Sequence, residues 1–123
     1  MNHSRIYHTA TVLHDGTVLV TGGFQGGTIL DSTEWYDPTT GIWTLTSSMK
    51  YGRYGHTASL LQDGKVLVAG GRENDECLDS AEVYDPVERT WTTIDSMNNT
   101  RCHHTATILT NGLVLVVGGG TER

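Results

Sequence analysis

The sequence predicts an all-β chain built from about two and a half four-stranded antiparallel sheets, on three observations. The 123 residues repeat with a period of 48, without insertion or deletion. An Asp-Gly or Asn-Gly pair recurs at one phase of that repeat, between two β-favouring runs. No stretch sustains the apolar spacing at three and four residues that a helix requires. Self-similarity at such a period marks a stacked or radial repeat.

Each element follows in order. His8 to Leu13 is a threonine-rich β-favouring run, and Thr17 to Thr21 is a second. His14-Asp15-Gly16 joins them, matched by Gln62-Asp63-Gly64 and Thr110-Asn111-Gly112. Such pairs tolerate positive φ at consecutive residues, so a tight hairpin is expected three times. Next come Gly22-Gly23, Gly70-Gly71 and Gly118-Gly119, and after them a variable segment. A third strand is expected around Ser32 to Tyr36. Asp37-Pro38-Thr39-Thr40-Gly41 forms a turn, and a fourth strand follows around Ile42 to Thr46.

The second strand of each unit, Val18-Leu19-Val20, Val66-Leu67-Val68 or Val114-Leu115-Val116, is apolar on both faces. A sheet with one wet face would alternate, so cover is expected on both sides. Ala10, Ala58 and Ala106 on the first strand suit a taper toward a crowded axis. Sheets packed radially in this way make a β-propeller. A β-sandwich is the rival, but it offers no reason for repeats in register.

Gly22-Gly23 with Tyr36 and Trp43, then Gly70-Gly71 with Tyr84 and Trp91, set a double glycine, a tyrosine and a tryptophan at fixed distances. With Arg53 through Gly71, these residues resemble the kelch repeat, most closely units of the galactose-oxidase central-domain type. The likeness runs from Arg5 to Gly119. It implies a partial kelch β-propeller used as an interaction surface, with units at 5–52, 53–100 and 101–123. The third unit holds only its first two strands, whereas closed propellers have about four to eight blades. A fragment of a larger propeller, or self-association that closes the ring, is therefore expected, since open edges invite aggregation.

Composition narrows the function. Eight basic against fourteen acidic residues give a formal charge of −6, without the basic stripe of a nucleic-acid binder. The longest apolar run, Leu113 to Val117, is far too short to span a bilayer, and the start has no secretory pattern. The default expectation is cytoplasmic, with no nucleic-acid or membrane partner. Cys77 and Cys102 are too few for a disulfide framework and sit at unrelated phases of the repeat.

His8, His56 and His104 share one repeat phase, which suits a structural fixture better than a metal ligand. His103-His104 would point to opposite faces of a strand. The galactose-oxidase likeness raises copper-radical alcohol oxidation as an alternative, but no position here matches a copper motif, so no metal, no cofactor and no catalytic residue is expected. A phosphate loop fails because no helix follows Gly22 to Gly27. The acidic group Glu73, Asp75, Glu76 and Asp79 lacks EF-hand spacing.

Recognition is expected on the segments that vary over a fixed frame: Phe24 to Ile29 against Arg72 to Cys77. In kelch propellers these loops share one face with the blade-to-blade segments, here Ser48 to Tyr54 and Ser96 to His103. The candidate contacts for a protein or peptide partner are Tyr51, Arg53, Tyr54, Arg72, Arg101 and His103, because aromatics and arginine dominate interfaces. For Arg5, Arg53 and Arg101 the competing expectation is that they tie neighbouring blades together. A purely architectural role for the whole array is a third reading.

Overall fold

The structure, a computed structural model, describes residues 4–74, 76–102, 104–108 and 114–118. In chain order the first unit contains β1 (Thr9–Val12), β2 (Val18–Thr21), a hairpin of β3 (Phe24–Gln25) and β4 (Thr28–Ile29), β5 (Thr33–Asp37) and β6 (Ile42–Thr46). The second contains β7 (Thr57–Leu60), β8 (Val66–Ala69), a hairpin of β9 (Arg72–Glu73) and β10 (Glu76–Cys77), β11 (Ala81–Asp85) and β12 (Thr90–Ile94). β13 (Thr105–Ile108) and β14 (Val114–Val117) pair as the opening of a third. No helix occurs among the described residues.

Two antiparallel blades result, β1-β2-β5-β6 and β7-β8-β11-β12. The innermost strands lie in a row, β1 beside β7 and β7 beside β13. Sheets that share an inner row are slices about an axis, not two stacked layers, so the sandwich is excluded. The architecture is a partial β-propeller.

The first turn differs from the tight hairpin expected. Only Gly16 has positive φ (89°). The Gly16 amide donates to the Leu13 carbonyl at 3.0 Å, and the Leu13 amide to the Thr17 carbonyl at 2.8 Å. This is a three-residue loop with one left-handed glycine, which Asp15 makes possible. Its Oδ1 accepts from the Thr17 amide at 2.9 Å and the Thr17 hydroxyl at 2.6 Å, closing the turn without a second residue at positive φ. Gly64 repeats the conformation at 91°, while the Asn111-Gly112 turn lies outside the described residues.

Register sorts the side chains into two faces. Across blade one, Thr11, Leu19, Trp35 and Thr44 line up, while Val12, Val18, Tyr36 and Trp43 occupy the opposite side. The first set meets blade two. Tyr84 donates to or accepts from Thr46 at 2.9 Å, the Trp91 indole donates to the Ser47 carbonyl at 2.9 Å, and the Arg89 guanidinium sits 4.8 Å over the Trp35 ring. Leu13, Leu19, Met49, Val66, Val68 and Tyr84 form the core between the two blades. Burial of such side chains contributes about 1.5–3 kcal/mol each.

The outer faces are bare. Val12 is 63% exposed although its repeat counterpart Leu60 packs into the core. Leu115 and Val117 are exposed where Leu19 and Thr21, two repeats earlier, are buried. Each blade is thus made to be covered on both sides.

The double glycine explains how neighbours seat. A Cβ on Gly22 would lie 2.6 Å from the Arg53 carbonyl oxygen and 2.6 Å from His56 Cε1, both in the next unit. A Cβ on Gly23 would lie 2.7 Å from the Ile6 carbonyl of its own unit. Gly70 and Gly71 repeat the division, against Arg101 and His104 on one side and Tyr54 and His56 on the other. One glycine admits the following blade and the other the preceding segment of the same blade. Gly118 belongs to the same phase, and Gly119 lies outside the described residues.

Candidate functional site

The arginine phase is structural. Arg53 is fully buried. Its guanidinium donates to the Gly70 carbonyl (2.9 Å), the Ser80 carbonyl (3.0 Å) and hydroxyl (3.0 Å), and Glu82 Oε2 (2.9 Å), all in blade two. Its main chain is tied back to blade one: the Gly23 amide donates to its carbonyl at 2.8 Å, and its amide donates to the Leu30 carbonyl at 3.1 Å. Glu82 also accepts from the amides of Lys50 and Tyr51. Arg5 repeats the side-chain set with Gly22, Ser32 and Glu34. The expectation of Arg53 as a surface contact is corrected, because a guanidinium with no exposed surface cannot reach a partner. Burial lowers its pKa from the usual value, opposed by the Glu82 charge.

The histidine phase links blades. His56 Nε2 is hydrogen-bonded to Thr9 Oγ1 at 2.9 Å, and His104 Nε2 to Thr57 Oγ1 at 2.8 Å. The fixture expected at this phase is present: each of these rings bonds a threonine hydroxyl of the preceding blade, and His56 also meets the Thr21 backbone. Burial, aided by the Arg53 charge, lowers the His56 pKa to about 3, and burial lowers that of His8.

A pH dependence follows. The folded-state pKa of His56 lies below the ordinary 6.5, so between those values the unfolded chain binds a proton that the folded chain does not. Stability is whole above pH 6.5 and falls by about 1.4 kcal/mol per unit as pH drops toward 3. Urea midpoints across that window should show it, and His56→Gln, which can still reach Thr9, should flatten the slope. An unchanged slope in that variant would refute the assignment.

The loop face gathers β3–β4, β9–β10 and the segments that lead into β7 and β13. Tyr54 and Arg72 form an antiparallel bridge there. The Tyr54 ring is the centre of an aromatic row, 5.6 Å from Phe24 and 6.0 Å from Tyr7. Tyr51 is partly exposed, with the Lys50 ammonium 5.4 Å from its ring centre. It lines a shallow cleft of about 260 Å³ with Glu73, Leu78, Asp79, Ser80 and Ser96. Arg101 holds the frame, its amide donating to the Leu78 carbonyl at 2.9 Å and Nη1 to the Gly118 carbonyl at 2.9 Å. His103 lies outside the described residues.

Tyr7 was not among the expected contacts, and Phe24 was expected only as part of its variable segment. Tyr7 adopts φ 58° and its repeat counterpart Gly55 adopts 66°, so the position demands a left-handed backbone. A side chain there costs about 1–2 kcal/mol. Arg89 makes a parallel case at φ 60° where the first unit has Gly41, but its side chain is stacked on Trp35 between the blades. Tyr7 instead is 64% exposed as a residue. The signal was readable: a tyrosine stands at a phase that the next unit fills with glycine.

Cys77 and Cys102 form a disulfide, with Cα atoms 5.3 Å apart. Unrelated repeat phases had not suggested this, because a blade-to-blade junction joins different phases. Among the described residues no group of three or more His, Cys, Asp or Glu converges to hold a metal ion, and no helix is long and apolar enough to cross a membrane.

The KLHDC2/KLHL20/DRC7 Kelch-repeats domain model matches residues 1–120. Among curated proteins none matches the chain.

Proposed function

Because the chain belongs to the kelch-repeat family, whose domain is a protein-interaction module, we propose that it binds a peptide segment of a protein partner through the loop face. Tyr7 carries this reading: an exposed tyrosine on left-handed backbone that a glycine would occupy without strain. Backbone strain retained at an exposed aromatic is the pattern of a contact site. Tyr54 and Phe24 extend the apolar surface, and Tyr51 with its cleft gives a polar flank. The loops are held by paired strands and by the Arg53 and His56 bonds, so little ordering entropy is lost on docking.

The module is non-catalytic in this reading. The copper-oxidase alternative needs a cysteine joined to a tyrosine, and both cysteines are joined to each other. The same reading keeps a cytoplasmic setting and leaves Arg72 and Tyr51 as secondary contacts.

Tyr7→Gly is the discriminating test. Relief of strain offsets the lost ring contact and the added chain entropy, so stability should stay within about 1 kcal/mol of the parent. Peptides selected from a displayed random library on the parent protein should lose about thirtyfold in affinity, as for a hot-spot aromatic. Equal binding by Tyr7→Gly and Tyr54→Ala, or no selection at all, would end the proposal.

A further inference from the structure

The two blade junctions share one backbone frame and differ in three side chains at one spot. In the first, the Leu30 amide donates to Gly23 and the Arg53 amide to Leu30; in the second, Leu78 donates to Gly71 and Arg101 to Leu78, at similar distances. Within that frame the first junction has Phe24, Ile29 and Tyr54, with the Phe24 and Tyr54 rings in contact. The second has Arg72, Cys77 and Cys102 at the same repeat positions. An apolar plug is replaced by a disulfide with a cation against it. Arg72 Nη1 lies 3.6 Å from Cys102 Sγ and 3.9 Å from Cys77 Sγ.

A bond kept only for strength has no use for a guanidinium. A cation beside the sulfurs stabilises a thiolate, and a better thiolate leaves faster in exchange. We propose that Cys77–Cys102 is a redox-responsive clasp, a modification site that a dithiol opens to release the β9–β10 hairpin from the segment before β13.

The chemistry balances as ordinary thiol–disulfide exchange. One thiolate of the dithiol attacks Cys77 Sγ, forming a mixed disulfide and expelling Cys102 as a thiolate next to Arg72. The second thiol of the reagent, as its thiolate, then attacks the mixed disulfide and frees Cys77. The products are two protein thiols and the oxidised dithiol, a transfer of two electrons and two protons. Both cysteines are buried, so attack requires the hairpin to lift. β9 and β10 pair at only two positions, Glu76 with Glu73 and Cys77 with Arg72, and so short a ladder opens cheaply. In a reducing compartment such a bridge is formed transiently and acts as a sensor.

The inference is independent of whether the face binds a peptide, and its test reads no binding. Treatment of the folded protein with dithiothreitol should yield two alkylatable thiols while the far-UV spectrum stays constant. Amide exchange should accelerate at 72–78 and leave Val66–Val68 unchanged. The Cys77→Ser/Cys102→Ser double variant should exchange like the reduced parent, and Arg72→Met should be reduced about tenfold more slowly. A bond reduced only on global unfolding, an Arg72→Met variant reduced at the parent rate, or two free thiols in protein purified in air would each overturn the proposal.

Discussion

Arg53→Met should destabilise the chain by about 3–5 kcal/mol, the cost of stranding a buried charge. An exposed ion pair would lose no more than about 1 kcal/mol, so the size of the effect separates a fixture from a surface contact. The arginine and Glu82 have no exposed side-chain surface, and Glu82 accepts from two amides that begin blade two's approach. Removing the cation leaves a carboxylate without its counter-charge, takes the arginine donor from the Gly70 carbonyl, and leaves the Ser80 carbonyl with the Gly70 amide alone. A typical domain has about 5–15 kcal/mol in all, so the variant should be largely unfolded in modest urea. Glu82→Gln retains an acceptor and removes the charge. Combined with Arg53→Met it should cost less than the sum of the single changes, by about 1–3 kcal/mol. Urea melts of the four proteins measure this cycle. A loss below 1 kcal/mol for Arg53→Met, or simple additivity, would show that the pair is not the buried fixture described.

Gly22→Ala should cost about 3 kcal/mol or more, and Gly16→Ala only about 1 kcal/mol. Both glycines have positive φ, at 70° and 89°. The difference between them is space. A Cβ at Gly16 meets nothing within 4 Å, whereas at Gly22 it meets the Arg53 carbonyl and the His56 ring of the next blade. Backbone strain is common to both variants, so subtraction isolates the close approach of the two blades. The Arg53 carbonyl is held by the Gly23 amide and cannot move aside without breaking that bond. Thermal or urea melts decide it, and equal losses in the two variants would mean that the blades do not meet there.

Much of this was legible from periodicity alone. A repeat of 48 residues with fixed glycines, tyrosines and tryptophans carried the blades, their strand order and the need for cover on both sides. The structural duty of the histidines was legible too, because a residue that returns at one phase serves the frame. Arg53 was harder: charge argued for the surface and phase for the frame. Glu34 and Glu82 follow Arg5 and Arg53 by 29 residues each. A charge pair repeated at one separation was the available signal that the arginine is neutralised inside. The short hairpins β3–β4 and β9–β10 were not legible as strands, since two paired residues leave no alternating pattern. The disulfide was invisible for a different reason. Its partners meet only because a hairpin of one blade touches the entry to the next, and no single-unit pattern encodes that contact.

The seat formed by Gly22 has a polarity. The earlier blade supplies the vacancy and the threonine; the later one brings the imidazole and the carbonyl that fill them. A ribosome delivers the recipient before the occupant, so each newly made blade meets a finished template instead of waiting for one. Assembly can then advance vectorially from the N-terminus, with every docking step completed by residues that have only just emerged.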